Sequence, residues 1–383
     1  ENNTVILYPS VAGVVGYVNK TTLSGGEEVV TTITSTNNDA AVSYECSANA
    51  SDKALIVRPY VAGVVGRCHD EGNTVLTDSQ NTANGAITLN SSTYGTYEYH
   101  GGVMVGGFAS RIASATITNC DNYGKVTVDN RHYALLVGGI AGLAHTCTST
   151  NCDNFGEIEV KETARLRGVL AGGAFGCTYV NAGVTSNCTN NAKVTIAAST
   201  EEGLSAITGA LYYRIGGVIG FAQSPVDNLT NNKGGDLIVS GDVTCTTEKA
   251  EDYFSIAGVV AFKTKGATKD NIKNYANVTV NANFKYVSEA AAAVQSLHIG
   301  GVLGGCSGNP TGTGIINEGT VTFDGSIEGK GAYLAVAGVV GGSHSYYRIT
   351  PLEPLLNKGQ VIIGENAVIK VPCSVGGLFA RNE

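Results

Sequence analysis

Short apolar stretches threaded with glycine recur along this chain, separated by polar segments rich in Thr and Asn. The clearest is Val137-Gly138-Gly139-Ile140-Ala141-Gly142, and related copies begin at Val11, Val61, Val105, Ala171, Ile215, Ile256, Ile299, Val336 and Val375. The third residue of every copy is Gly, at 13, 63, 107, 139, 173, 217, 258, 301, 338 and 377. The mean spacing of about 40 residues lies in the range of stacked or radial repeat folds. Each copy has the alternation of a strand: Ile215, Gly217 and Ile219 on one face, Gly216, Val218 and Gly220 on the other. Neither face is polar, which predicts a strand covered on both sides. Glycine weakens a strand unless another segment must approach closely. The constant Gly, as at Gly139, Gly173, Gly217 and Gly301, is therefore expected to leave room for a large side chain from across a narrow core.

A second pattern follows the first: apolar-x-Asn-x-Gly-x-apolar-x-apolar. It is plainest at Asn122-Tyr123-Gly124-Lys125-Val126-Thr127-Val128, and repeats around Asn154, Asn317 and Asn357, with looser copies at Asn190, Asn232 and Asn274. The Gly suits a turn position of positive φ, although Ala192 and Ala276 replace it twice. Stacked units would bring equivalent Asn side chains about 4.8 Å apart, one strand spacing. At that distance amides can bond to one another as a ladder; the alternative is that each Asn closes only its own turn.

These patterns predict an all-β parallel β-helix of about ten rungs, each of about 40 residues and three short strands. The whole chain, 1–383, is expected to form one elongated domain, because each unit needs its neighbours to bury its apolar face. Within it, 1–60 reads as an irregular N-terminal cap and 61–383 as regular repeats with insertions at 201–213 and 285–298. A β-propeller also uses units of this size, but ten blades exceed the usual four to eight.

Composition narrows the picture. Gly is 51 of 383 residues, and charged residues make up 15% against a typical ~25%. The net charge is −8, with 24 basic residues scattered along the chain, so no nucleic-acid footprint is present. No apolar run is long enough for a membrane-spanning helix. The chain starts at Glu1 rather than Met and enters the first repeat at once, which predicts that any signal peptide or lipid anchor has been removed. Of ten Cys, Cys120, Cys152 and Cys188 share one place before the Asn turn, and Cys68, Cys177 and Cys306 follow the Gly motif. Such columns predict free, buried thiols. Cys147–Cys152 is the best disulfide candidate.

The unit, apolar-Gly-Gly-apolar-x-Gly followed by apolar-x-Asn-x-Gly-x-Val-x-Val, resembles the GLUG-motif repeats of Bacteroidetes surface proteins and large bacterial adhesins. The resemblance covers about residues 11–380. The Leu that names the motif occurs only at Leu378; Val, Ile, Phe or Ala stands there elsewhere. The resemblance implies an exported β-solenoid, extracellular or on an outer-membrane cell surface. It transfers no catalytic residue.

Chemistry is sparse in the sequence. Polysaccharide-cleaving β-helices need converging carboxylates, or a carboxylate-bound Ca²⁺ beside a basic residue. The nearest clusters are His69-Asp70-Glu71 and Glu251-Asp252. No nucleophile elbow, His-Glu-x-x-His or phosphate-binding loop occurs, so neither cofactor nor metal is expected. Tyr-Tyr-Arg-Ile appears twice. Tyr212, Tyr213, Arg214, Tyr346, Tyr347 and Arg348, with Tyr97 and Tyr99, are candidate stacking platforms for a glycan or anchors for a host surface protein. The expected function is a non-catalytic structural or adhesive protein that presents loops on a rigid solenoid; the rival is a glycan-binding or glycan-degrading protein of polysaccharide utilisation.

Overall fold

The computed structural model describes residues 5–20, 22, 26, 29–46, 55–91, 102–179, 183–197, 199–200, 213–245, 254–264, 271–287, 295–307, 313–343 and 355–382. Among these there is no helix, and the strands form long parallel sheets stacked in register: a parallel β-helix. One turn runs through Arg165–Gly172, Phe175–Tyr179, Thr185–Ser186, Thr189–Asn190 and Val194–Ile196. The first of these belongs to a first wall, the next three to a second, and Val194–Ile196 to a third. First-wall strands pair in chain order from Ser10–Ala12 to Cys373–Gly376. The region expected to be an irregular cap contributes ordinary strands: Val30–Thr34 pairs with Asn73–Thr77 and Val42–Cys46 with Ile87–Ser91. The insertion expected at 285–298 is strand at both of its ends, in Asn283–Tyr286 and Gln295–Gly300.

The repeated glycine motif is not one strand. It straddles a corner: Tyr213–Gly216 ends the first wall, Gly217 and Val218 turn, and Ile219–Ala222 begins the second. A two-residue corner between short strands preserves the bulky–small alternation, so the two arrangements look alike in sequence. The constant glycines file along one line, joined by backbone bonds such as Gly139 N–H to Gly173 O at 3.0 Å and Gly173 N–H to Gly217 O at 3.1 Å.

What the glycine makes room for is the recurrent Asn of its own turn of the helix. A methyl group on Gly139 would overlap Asn154 Oδ1, and the same holds for Gly63 with Asn81, Gly107 with Asn122 and Gly173 with Asn190. The corner therefore points inward and touches the opposite wall. It divides the apolar interior into two lobes. One lies between the first and third walls (Val137, Ile215, Val126, Val128); the other is enclosed by the second wall (Ile140, Ile219, Cys120, Cys152). Outside the corner, the two walls meet in an external cleft filled by Tyr60, Met104, Leu136, Leu143, Leu170, Cys177, Phe221 and Phe262.

The Asn ladder is present, and each Asn closes its own turn as well. From Asn38 through Asn81, Asn122, Asn154, Asn190, Asn231, Asn274 and Asn317 to Asn357, each Nδ2 donates to the Oδ1 of the next at 2.8–3.1 Å. The other N–H of each donates to a carbonyl of its own turn, as Asn154 does to Gly156 O at 2.9 Å. The looser copy read at Asn232 belongs one residue earlier: Asn231 bonds across a longer turn to Gly235 O at 3.0 Å. Gly124, Gly156, Gly319 and Gly359 are not positive-φ residues. They are small because the turn packs on its neighbour: a methyl on Gly156 would meet the Gly124 carbonyl oxygen. Positive φ falls instead three residues before each ladder Asn from Asn38 to Asn317, at Ser35, Asp78, Asn119, Asn151, Asn187, Asn228, Asn271 and Gly314. Asn and Asp tolerate that region best among residues with a side chain.

Cys147 and Cys152 both carry free thiols, as do Cys46, Cys68, Cys120, Cys177, Cys188, Cys306 and Cys373. The expected disulfide is absent: Cys147 lies within the strand Ala141–Thr150, and Cys152 lies beyond it, past the left-handed Asn151, so extended chain carries the two thiols apart. Cys177 sits one place earlier after its Gly than Cys68 and Cys306 do after theirs. It accordingly faces the external cleft, whereas they face the second-wall lobe.

Three substitutions test this arrangement. Gly139→Ala should cost at least ~3 kcal/mol in urea denaturation, through overlap with a buried amide and a backbone carbonyl. Gly377→Ala, at the equivalent corner but with nothing within 4 Å of the added carbon, should shift stability by less than ~0.5 kcal/mol. Asn154→Ala strands the Asn122 donor and the Asn190 acceptor, each buried, and should cost ~2–4 kcal/mol by the same measurement.

Candidate functional site

Of the aromatic and arginine positions singled out in the sequence, Tyr97, Tyr99, Tyr212, Tyr346, Tyr347 and Arg348 lie outside the described residues. Tyr213 and Arg214 are described, and neither is a surface platform. Alternation along the first wall sends them to opposite sides of it. Tyr213 enters the interior lobe, where its ring meets Phe254 edge-on at 5.6 Å and Phe284 at 6.0 Å. Burial raises its phenol pKa. Arg214 enters the external cleft, its guanidinium carbon 4.1 Å from the Phe221 ring centre and 4.3 Å from that of Phe262. The cation is held by two aromatic faces.

The His69-Asp70-Glu71 turn is bound up in local contacts. Asp70 pairs with Arg111 and, at 3.9 Å, with Arg67; Glu71 pairs with Lys20 at 3.4 Å; His69 Nδ1 accepts from the Glu71 N–H at 3.1 Å. Its carboxylates neutralise neighbouring cations rather than converge on an open space.

A concavity lies on the outside of the second wall, beside the positive-φ column. It encloses about 360 Å³ and is lined by Ser35, Asn37, Asp78, Ser79, Gln80, Asn119 and Asp121. The left-handed backbone at Asp78 and Asn119 turns their side chains outward. There they form a second, external ladder, with Asn119 Nδ2 donating to Asp78 Oδ1 at 2.9 Å and Asn151 Nδ2 to Asn119 Oδ1 at 3.1 Å. Further along the same column, Asn228 Nδ2 donates to Asn187 Oδ1 at 2.7 Å. The short side chains of Ser35 and Ser79 leave the hollow. Asp121 borders it with its pKa raised by burial, an effect opposed by the Asp153 N–H that its Oδ1 accepts at 3.0 Å. Beside Asp121, the Tyr123 and Phe155 rings stack at 4.7 Å with 5° between their planes, so their edges face solvent.

Carboxylates, carboxamides and hydroxyls in one shallow hollow offer donors and acceptors to a polar ligand. That is equipment for recognition. Among the described residues no group of three or more His, Cys, Asp or Glu side chains is placed to hold a metal ion, and no helix is long and apolar enough to cross a membrane. The external ladder was within reach of the sequence: the residue three before each ladder Asn is Asn, Asp, Ser or Gly in every described turn. It is masked there by the abundance of Asn and Thr around it.

Comparison of the chain with protein-family models, with curated proteins and with solved structures finds no match.

One buried ionisable group has a measurable signature. Lys263 points into the second-wall lobe, 2% exposed, with Nζ donating to Ser224 O at 3.0 Å and Thr264 O at 3.3 Å. Burial pulls its pKa from 10.5 to about 8. Between those values the unfolded chain keeps a proton that the folded chain has shed, so folding stability contributed at this site rises with pH from about 8 to about 10.5. Lys263→Met should therefore be more stable than the parent at pH 7 by ~2–3 kcal/mol, and the advantage should shrink by pH 10. Comparing the two proteins at each pH cancels the opposite, alkaline loss caused by thiols such as Cys68 and Cys147, which burial pushes up to about 12.

Proposed function

We propose that this chain is a non-catalytic structural and adhesive body: a stiff β-solenoid, displayed on a cell surface or secreted, that holds loops and a polar outer face towards a host surface protein or glycan. The observation that carries this reading is the unbroken amide ladder from Asn38 to Asn357, eight side-chain bonds in series. A long column tied by bonds in series resists bending and swelling, which suits display rather than closure around a substrate. The GLUG-like repeat unit points the same way. The hollow beside Asp78, Asn119 and Asp121 favours a second reading, glycan binding within polysaccharide utilisation, because its mixed amide and carboxylate lining matches the hydroxyl pattern of a sugar.

A panel of polysaccharides and extracellular-matrix proteins immobilised on beads separates these from an enzyme. The purified chain should be retained by at least one member, with no new reducing ends or peptides released over hours. Product release by the parent chain would overturn the non-catalytic reading. Retention that Asp78→Ala and Asn119→Ala reduce together would locate it in the hollow.

A further inference from the structure

A cationic, aromatic cluster sits at the mouth of the external cleft near the first turns of the helix. Three arginines approach Tyr60 from different strands and turns. Arg58 precedes the first wall and lies 5.8 Å from the Tyr8 ring centre, while Arg67 lies 5.5 Å from that of Tyr17 and 5.3 Å from that of Tyr60. Arg111 stands one turn beyond Arg67, in register with it. Tyr8 stacks on Tyr60 at 6.2 Å. The electrostatics of the Tyr60 phenol register all three guanidiniums: burial raises its pKa, and Arg111, Arg67 and Arg58 each oppose that rise.

The cluster is under-supplied with negative charge. Among the described residues, Asp70 is the carboxylate that pairs with both Arg111 and Arg67, so these two cations share one anion. Arg111 is only 9% exposed, and its Nε, like that of Arg67, is a buried donor with no acceptor among the described residues. Desolvating a guanidinium without filling its donors is costly. The Arg67 side chain keeps 23% of its surface exposed, so an anion supplied from outside can reach the pair and add the negative charge that Asp70 alone supplies to both. Two features narrow the ligand beyond a bare anion. Tyr8 and Tyr17 are each 44% exposed, giving apolar ring surface directly beside the cations. A pyranose carrying an acidic group combines an apolar C–H face with a second anion for Arg67 and Arg111.

We propose that the Arg67–Arg111–Tyr17–Tyr8 cluster is a binding site for an acidic sugar, a carboxylated or sulfated pyranose within a larger glycan. It is separate from the hollow beside Asp78 and does not depend on how the solenoid is displayed.

The test is calorimetric titration of the full chain with an oligogalacturonate, a sulfated oligosaccharide of similar length, a neutral galactose oligosaccharide and an oligoglutamate peptide, at low and at physiological salt. At least one of the two acidic sugars should bind saturably, and which one binds more tightly identifies the anion. The neutral sugar and the peptide should each bind at least about tenfold more weakly. Arg67→Gln and Arg111→Gln should each lose about tenfold. Tyr17→Ala, an exposed position with little risk to folding, should lose several-fold while leaving the salt dependence unchanged. Equal affinity for acidic and neutral sugars, equal affinity for oligoglutamate, or unaltered binding by Arg67→Gln and Tyr17→Ala would overturn the proposal. None of these outcomes bears on whether the chain cleaves a polymer, which the product-release experiment reads separately.

Discussion

The contact between a glycine without a side chain and an asparagine that fills its place holds this architecture together. At each turn the inward corner of the coil, Gly139 for example, is pressed against the Asn154 amide, and no methyl group fits between them. The contact fixes how far the corner penetrates and so the shape of both apolar lobes. It also explains why the two most regular motifs of the chain travel together. Each would be a liability alone: a glycine loses more conformational freedom on folding than any other residue, and a buried carboxamide costs free energy unless its hydrogen bonds are filled. Combined, the glycine lets the amide be buried, and the ladder fills the amide's bonds.

Length variation respects this contact. From Gly63 to Asn317, the corner glycine and its Asn are separated by 14–18 residues, whereas the return from one Asn to the next glycine ranges from 17 to 27 over the same turns. The constrained half of each turn contains the ladder, the second wall and the external amide column. The freer half leads back to the first wall. Candidate sites divide in the same way. The hollow at Asp78 and Asn119 rides on the constrained half, and its backbone is set by the positive-φ position. The arginine cluster gathers where strands of successive turns enter the external cleft.

Much of the fold was legible because repetition multiplies weak signals. Ten glycines at one position and a recurrent Asn were enough to imply stacking, and the possibility of a ladder followed from strand spacing. What misled was local. A corner flanked by short strands has the same alternation as a strand, so Val137 to Gly142 read as one element. Asn232 and Asn231 are adjacent and identical, and only the bond to Gly235 distinguishes them. The hollow was not foreseen, since Asn119 is one polar residue among many until a left-handed backbone turns it outward. Tyr213 and Arg214 show the opposite error. Aromatic and cationic character suggested a surface, but alternation along a wall with a lobe on one side and a cleft on the other buries both. The arginines at 58, 67 and 111 are far apart in sequence, and only the register of the walls brings them to one tyrosine.

Every amide in the central series donates in the same sense, nitrogen towards the higher-numbered neighbour. Backbone bonds between parallel strands run both ways along the axis and largely cancel; these side-chain dipoles do not. The column is thus a vector. One extremity of the series offers oxygen at Asn38, the other nitrogen at Asn357. Whole turns can be gained or lost between them over evolutionary time, but none can be inverted without setting two like poles face to face.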